Sequence, residues 1–414
     1  MPETPIPQIA IFITLVYTSL MNLEKRFLQI KQILIEHRSL LEKEVLEQYP
    51  NSPSPYTNWA QELLALSSSD LIQLENTLNT PKSLSEDYQN LLKKIKGLTE
   101  LPKPAIKTKK MAQNFARKIS LKKRHEIELI NSQLTQLTCD NFIDIGSGAG
   151  HLSSFLLQNN SKTSTCLDKE KAYQDIGKKK LQRYHPEILK RINFVTADFQ
   201  DIKNISCHQE TTVIGLHACG ALSKYIIDFY LNSEANYLLN YGCCFHKMKT
   251  NDFNLSTLAK SQPLMLTNHE LTMAAKSYKN ISQATFEQRE KVKLYRYVLH
   301  MYLYDHFKSG FTSIGNTHNS DYQKDFAHYA KKYSLQLKQH DSKKLNFFFQ
   351  TKKDLAKLYI RLGIIRSHFS RLIEIYLILD RALYLKENQT HVSVTETFDR
   401  KISPRNLSLM AYKF

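Results

Sequence analysis

The chain has 414 residues, 42% of them apolar and 23% charged, with only 11 Gly and 12 Pro. This composition excludes a disordered, collagenous or low-complexity protein, and the length suits two or three domains with a sizeable core. The formal net charge is +18, and it is unevenly placed: residues 1–100 carry 9 basic and 12 acidic side chains, the remainder 48 and 27. The excess is densest from Lys103 to Arg124, where nine Lys/Arg occur without a carboxylate. Such a run attracts a polyanion, either nucleic acid or an anionic membrane; its plainer reading is a solvated linker.

The longest mainly apolar run, Ile9 to Met21, is about half a membrane span and has no basic region before it, so neither a signal peptide nor a transmembrane helix is expected. All six cysteines fall between Cys139 and Cys244. That is not a disulfide framework spread over a secreted domain, and it points to an intracellular, cytoplasmic protein.

In chain order, Leu and Ile recur at helical spacing through residues 22–97, with a break at Tyr49-Pro50-Asn51-Ser52-Pro53-Ser54-Pro55, which predicts a helical N-terminal domain over 1–102. From 103 to 414 the texture is α/β. Strands are expected at Phe142–Ile145, Thr163–Leu167, Ile192–Thr196, Thr212–Leu216 and Tyr237–Tyr241, each separated by room for a helix. That alternation indicates a doubly wound parallel sheet. A mainly helical insertion is expected at about 251–351, and helices at Glu287–Phe307 and Leu355–Leu385. Strands Val392–Phe398 and Leu407–Tyr412, with a turn at Ser403-Pro404-Arg405-Asn406, would close the sheet with an antiparallel hairpin.

The most specific stretch is Phe142-Ile143-Asp144-Ile145-Gly146-Ser147-Gly148-Ala149-Gly150-His151-Leu152, a strand entering a Gly-rich turn and then a helix over Leu152–Gln158. Glycines let the backbone turn tightly and bring a ligand against the helix N-terminus. The spacing is G-x-G-x-G, not the dinucleotide G-x-G-x-x-G. Asp144 at the strand end would repel a pyrophosphate and suits a ligand with an amino group, which disfavours an NAD-linked oxidoreductase. This arrangement resembles the S-adenosylmethionine (SAM) site of class I methyltransferases. In that reading Asp144, Gly146, Ser147, Gly148 and Gly150 hold the methionine end. Asp168, closing the second strand, accepts from the ribose hydroxyls, and Asp198 with Phe199 after the third strand meets the adenine.

The fourth and fifth strands end in Leu216-His217-Ala218-Cys219-Gly220 and Tyr241-Gly242-Cys243-Cys244-Phe245-His246. Both ends border the ligand crevice of an open α/β sheet. His217 and His246 are candidate bases, because a histidine near its ordinary pKa exchanges protons at neutral pH. Cys243 and Cys244 would shape the acceptor pocket, a Cys nucleophile being a further option. Zinc is set aside and no metal is expected, since the Cys/His spacing matches no standard motif and adjacent cysteines chelate one ion poorly.

The strings FIDIGSGAGHLSSFL, GLHACGALS and NYGCCFHKM, the basic KISLKKRHEI at 118–127 and the C-terminal LILDRALYLKEN and FDRKISPRNLSLMAYK together resemble the methyltransferase-like protein 25 family, also described as ribosomal RNA adenine dimethylase domain-containing. The resemblance covers about residues 105–414. LHACG and CCFH alone are also similar to eukaryotic tRNA acceptor-stem 2′-O-methyltransferases. The resemblance implies a class I, Rossmann-like methyltransferase fold and SAM-dependent methyl transfer. Adenine N6 methylation is discounted: its (Asn/Asp)-Pro-Pro-aromatic tetrad is replaced by His217-Ala218-Cys219-Gly220. RNA, either tRNA or rRNA, is the expected acceptor, contacted by Lys118, Lys122, Lys123 and Arg124. A protein acceptor, or a non-catalytic SAM- or RNA-binding module, is the alternative.

Overall fold

The computed structural model describes residues 23–51, 55–104, 108–113, 115–117, 119–135, 137–199, 205–249, 252–276 and 280–413. The apolar run at 9–21 and Lys118 lie outside them. Among the described residues, no helix is long and apolar enough to cross a membrane.

Seven strands form one sheet: β1 (Asn141–Ile145), β2 (Thr163–Asp168), β3 (Ile192–Thr196), β4 (Thr211–Cys219), β5 (Tyr237–Cys243), β6 (His391–Glu396) and β7 (Leu407–Tyr412). Their order is β3-β2-β1-β4-β5-β7-β6. Strands β1 to β5 pair in parallel, and β7 runs antiparallel to both β5 and β6. This is the class I, Rossmann-like α/β sheet with its closing hairpin. Strand order reverses between β1 and β4, and ligands of such sheets bind outside the carboxyl ends of the strands at that switch point.

The central strands are apolar because helices cover both faces. Phe142, Ile143 and Ile145 of β1 are buried, as are Val213 and Ile214 of β4 and Leu238 and Leu239 of β5. One core cluster joins Ile127, Ile130 and Leu134 of the helix Leu121–Leu134 to Phe142, Leu152, Phe155 and Tyr241.

Three elements differ from expectation. β4 runs past Leu216 to Cys219, because after a bulge between Gly215 and Ala218 it pairs with β5 again, Ala218 against Gly242 and Cys219 against Cys243. The tight turn of the closing hairpin lies at Asp399–Ser403, not 403–406: the Asp399 carbonyl accepts the N–H groups of Ile402 (3.0 Å) and Ser403 (2.8 Å), while its side chain accepts that of Lys401 at 2.8 Å. An Asp that bonds the backbone two residues on favours such a turn. The helix expected over Leu355–Leu385 is two helices, Ser342–His368 and Ser370–Glu387. At their junction the Phe369 N–H bonds the carbonyl three residues back, on Arg366.

The chain divides into two compact units. The unit with the sheet comprises the described residues up to Gln32 together with Glu100–Met265 and Ile373–Phe414. The other is helical and combines Ile33–Thr99 with Leu266–Leu372, so most of the helical segment before residue 100 and much of the insertion share one unit. Within it, Trp59 lies flat on Tyr88, centroids 4.7 Å apart and planes 6° apart, and its Nε1 donates to Asp87 at 3.0 Å.

Candidate active site

Beyond β1 the chain turns through Gly146, Gly148 and Gly150, with φ of +74°, +56° and +65°, a conformation that costs glycine little and other residues much. The turn hangs from the end of β2: the N–H groups of Gly146 and Ser147 donate to the Leu167 carbonyl at 2.8 and 3.0 Å. The Gly148 N–H donates to Asp168 Oδ2 at 2.7 Å, and the Glu170 N–H donates to Asp168 Oδ1 at 2.9 Å. A Cβ on Gly148 would meet nothing within 4 Å, so the turn faces open space there, whereas one on Gly150 would sit 3.0 Å from the Phe194 ring. A glycine not foreseen from sequence also matters. A Cβ on Gly177, in the helix Lys171–Tyr184, would lie 2.3 Å from the Ala149 carbonyl oxygen, so that helix packs backbone to backbone against the turn.

Asp144 is 2% exposed, and its Oδ2 accepts from Ser153 Oγ at 2.9 Å, which in turn contacts Ser164 Oγ at 2.9 Å. Burial pushes its carboxyl up to about 6; Ser153 and Lys123 oppose the rise and Asp168 adds to it. Here Asp144 ties the first turn of the helix His151–Leu156 to β1. His151 is pushed down to about 4 by burial and by Lys123 and Lys180, which leaves its imidazole neutral at pH 7. Asp198 follows β3 and is exposed; Phe199 is half-buried, its ring edge-on to Phe229 at 5.5 Å.

Sequence blocks far apart converge at His217. It occupies the β4 bulge with φ of +58°, an unfavourable conformation for a residue with a Cβ and one that recurs at functional sites. Its Nε2 lies 3.1 Å from Glu126 Oε1. The Glu126 side chain is 2% exposed, receives a hydrogen bond from Ser403 Oγ, and has Lys122 Nζ at 3.6 Å. Burial pushes Glu126 up, but the His217 hydrogen bond and charge, with Ser403 and Lys122, outweigh it and hold the carboxyl below its ordinary range. Glu126 falls within the basic segment 118–127, but nothing in that segment marks its role; 91 positions separate it from His217, and only the packing of its helix on the sheet joins them.

Cys219 and Cys243 sit at paired positions of β4 and β5 with sulfurs 3.3 Å apart, and Cys244 Sγ is 3.8 Å from Cys243 Sγ. Cys244 has φ of +52°. The hydrogen bond with Cys243 draws the Cys219 thiol down to about 5 against the effect of burial, while Cys243 is pushed well up. His246 lies exposed on the short 3₁₀ turn Phe245–Lys247.

The basic candidates are only partly free for an external partner. Lys122 is exposed and pairs with Glu126, whereas Lys123 and Arg124 are half-buried and Arg124 Nε donates to the Ile119 carbonyl at 2.8 Å. The basic surface continues beyond the run that the sequence singles out. Lys180 Nζ donates to the Arg117 carbonyl at 3.1 Å, joining the run to a helix that exposes Lys171, Lys178, Lys179 and Arg183 alongside Tyr173, Ile176 and Tyr184.

Residues 122–251 match a family described as a methyltransferase domain. Solved structures of similar fold include the O-methyltransferase TomG from Streptomyces achromogenes, involved in tomaymycin synthesis and determined with SAM: 9% identity over 42% of this chain and 78% of that chain, TM-score 0.28. The 23S rRNA methyltransferase ErmE is 12% identical over 60% of this chain and 97% of that one, TM-score 0.25. M. capricolum TrmK, determined with S-adenosylhomocysteine, is 14% identical over 57% and 98%, TM-score 0.22. At such scores these likenesses say nothing of substrate. The family match, the strand order and the Gly-rich turn define a class I, SAM-dependent methyltransferase domain. The residues suit that cofactor: the turn opens to free space at Gly148, and the half-buried Asp168 carboxylate stands at the β2 end.

Proposed function

We propose that this enzyme methylates RNA, with His217 as the base that takes the acceptor proton. The observation that carries the reading is His217, held in a strained bulge at the crevice edge by the buried Glu126. A buried carboxylate on one ring nitrogen orients the imidazole and leaves the other nitrogen for the acceptor. SAM supplies the methyl group on a sulfonium. The chain's own residues then have to position the acceptor in line with it, which is where most of such catalysis lies.

In this reading Gly146–Gly150 form the floor of the cofactor pocket, Asp168 takes the ribose hydroxyls, and Asp198 with Phe199 borders the adenine. Asp144 acts from behind the turn. RNA is favoured over protein because residues 101–414 carry the whole positive excess, and the exposed Lys178, Lys179 and Arg183 of the sheet-bearing unit stand among exposed aromatic rings. That mixture tracks phosphates and stacks bases. The resemblance to the methyltransferase-like protein 25 family and an intracellular location belong to the same proposal.

The test is incubation with methyl-labelled SAM and cell lysate fractionated into RNA, protein and small molecules. Label in RNA, lost with His217→Asn, supports the reading. Label confined to protein would overturn the RNA assignment, and label unchanged in His217→Asn would overturn the base.

A further inference from the structure

The cysteines at the ends of β4 and β5 lie far apart in the chain, yet the fold brings their sulfurs together. Register sets Cys219 directly beside Cys243. Gly220, with φ of +59°, allows it: a Cβ there would lie 2.9 Å from Lys247 Cβ and 3.1 Å from its carbonyl oxygen, and the Gly220 N–H donates to the Cys243 carbonyl at 2.9 Å. Cys244, left-handed in the next position, adds a third sulfur, and all three fall within 4.8 Å of one another.

We propose that Cys219, Cys243 and Cys244 form a three-thiolate site for a thiophilic divalent cation, zinc being the fitting ion. Zinc–sulfur bonds of about 2.3 Å in a tetrahedron set sulfurs about 3.8 Å apart, and the observed 3.3 and 3.8 Å bracket that spacing. All six cysteines are free thiols, and 3.3 Å far exceeds a disulfide bond of about 2.05 Å. Three thiolates on one divalent ion leave one negative charge, and the positive charges of Lys247 and Arg405 act on Cys219 and Cys244 in the sense that offsets it. Binding releases the thiol protons to solvent.

Three protein ligands with a fourth position open is the pattern of a zinc that engages water or substrate, not of a closed structural site. Cys219 and Cys244 are half-exposed, and both strand ends border the crevice. A fourth ligand from an acceptor would therefore be polarised at the edge where the methyl group is transferred. This site goes beyond the RNA reading and does not rest on it.

The experiment titrates Co²⁺ into the full chain, purified under a non-thiol reductant and stripped with a chelator. One equivalent should produce an intense near-ultraviolet sulfur-to-cobalt band that Zn²⁺ abolishes. Cys219→Ser and Cys244→Ser should each weaken Co²⁺ binding at least tenfold, and Cys207→Ser should not. No band at one equivalent while the thiols titrate as reduced would overturn the site, as would a band indifferent to both half-exposed cysteines. A Cys219–Cys243 disulfide formed in air, with no cobalt binding by the reduced protein, would also overturn it. The thermal shift with S-adenosylhomocysteine is recorded on the same samples, so failure of the metal site and failure of the cofactor pocket read out separately.

Discussion

The Asp168 carboxylate receives the N–H of Gly148 at 2.7 Å, fastening the middle of the Gly-rich turn to the end of the neighbouring strand. One side chain thus supports the Gly-rich turn and, in the proposed pocket, would also take the ribose hydroxyls. Asp168→Ala should abolish the rise in melting temperature that S-adenosylhomocysteine gives the wild type, a shift set by ligand affinity for the folded state. It should also lower the ligand-free melting temperature, because an amide left without its acceptor costs about 1–3 kcal/mol. A full ligand-induced shift in the variant would remove Asp168 from the pocket.

Asp144 should make stability pH-dependent in an unusual direction. Its folded carboxyl is pushed up to about 6 from an ordinary value of 3.8, with burial the main cause. The native state therefore binds the proton more tightly than the unfolded chain does. This contribution is fully present below pH ~4, the unfolded value, and is lost as pH rises to about 6, a change on the order of 3 kcal/mol. Asp144→Asn keeps an acceptor for Ser153 and removes the titration. It should be more stable than wild type at pH 7–8 and lose that advantage by pH 4, in denaturant melts across the range. An advantage independent of pH would contradict the assignment.

His217→Asn tests the base with little disturbance of the backbone, since Asn tolerates positive φ better than most residues. Methyl transfer to RNA should fall by about 10²–10⁴-fold, the usual contribution of a general base, while the S-adenosylhomocysteine shift is retained. Glu126→Gln should cost less, because it removes the charge but keeps a hydrogen-bonding group beside the imidazole. Equal losses in both variants would mean that the pair acts only by holding the bulge.

On the exposed face of the helix Lys171–Tyr184, the triple change Lys178→Ala, Lys179→Ala and Arg183→Ala should weaken RNA binding and flatten its salt dependence. Each phosphate of single-stranded RNA that is no longer neutralised by a side chain takes about 0.7 from the slope of log K against log salt, so the triple variant should lose about 2. Tyr173→Ala should cost about 1–3 kcal/mol if a base stacks there. An unchanged salt slope would assign this face to solvent.

Gly177→Ala places a methyl group where the Ala149 carbonyl oxygen already sits. Alanine normally stabilises a helix relative to glycine. Here it should lower the melting temperature and remove the S-adenosylhomocysteine shift, whereas Gly97→Ala, in a helix with no atom within 4 Å of the added Cβ, should do neither.

What sequence reveals here follows from how locally each feature is specified. The Gly-rich turn and Asp168 are legible because strand, turn and strand end are contiguous patterns of residue type. The Glu126–His217 pair is not, for it needs a helix packed across the sheet. Spacing along the chain speaks against a three-sulfur cluster, while the cluster's geometry comes from the β4–β5 register, the bulge at His217 and the close approach permitted at Gly220. The break at Phe369 also has no mark in the sequence: the apolar period continues through Ser367-His368-Phe369-Ser370 without Gly or Pro. Apolar periodicity reports which faces are buried, and a single turn of altered backbone hydrogen bonding leaves it intact.

The close approach of Gly177 to Ala149 ties the two ligands of the proposed reaction to one piece of backbone. The helix that would carry RNA on its exposed face bears with its buried face on the turn that would hold the cofactor. A displacement of either element on binding would be felt by the other, and the two binding equilibria would then share a free energy. By reciprocity, the factor by which S-adenosylhomocysteine alters RNA affinity must equal the factor by which RNA alters S-adenosylhomocysteine affinity. A ternary complex assembled in either order should report a single coupling constant.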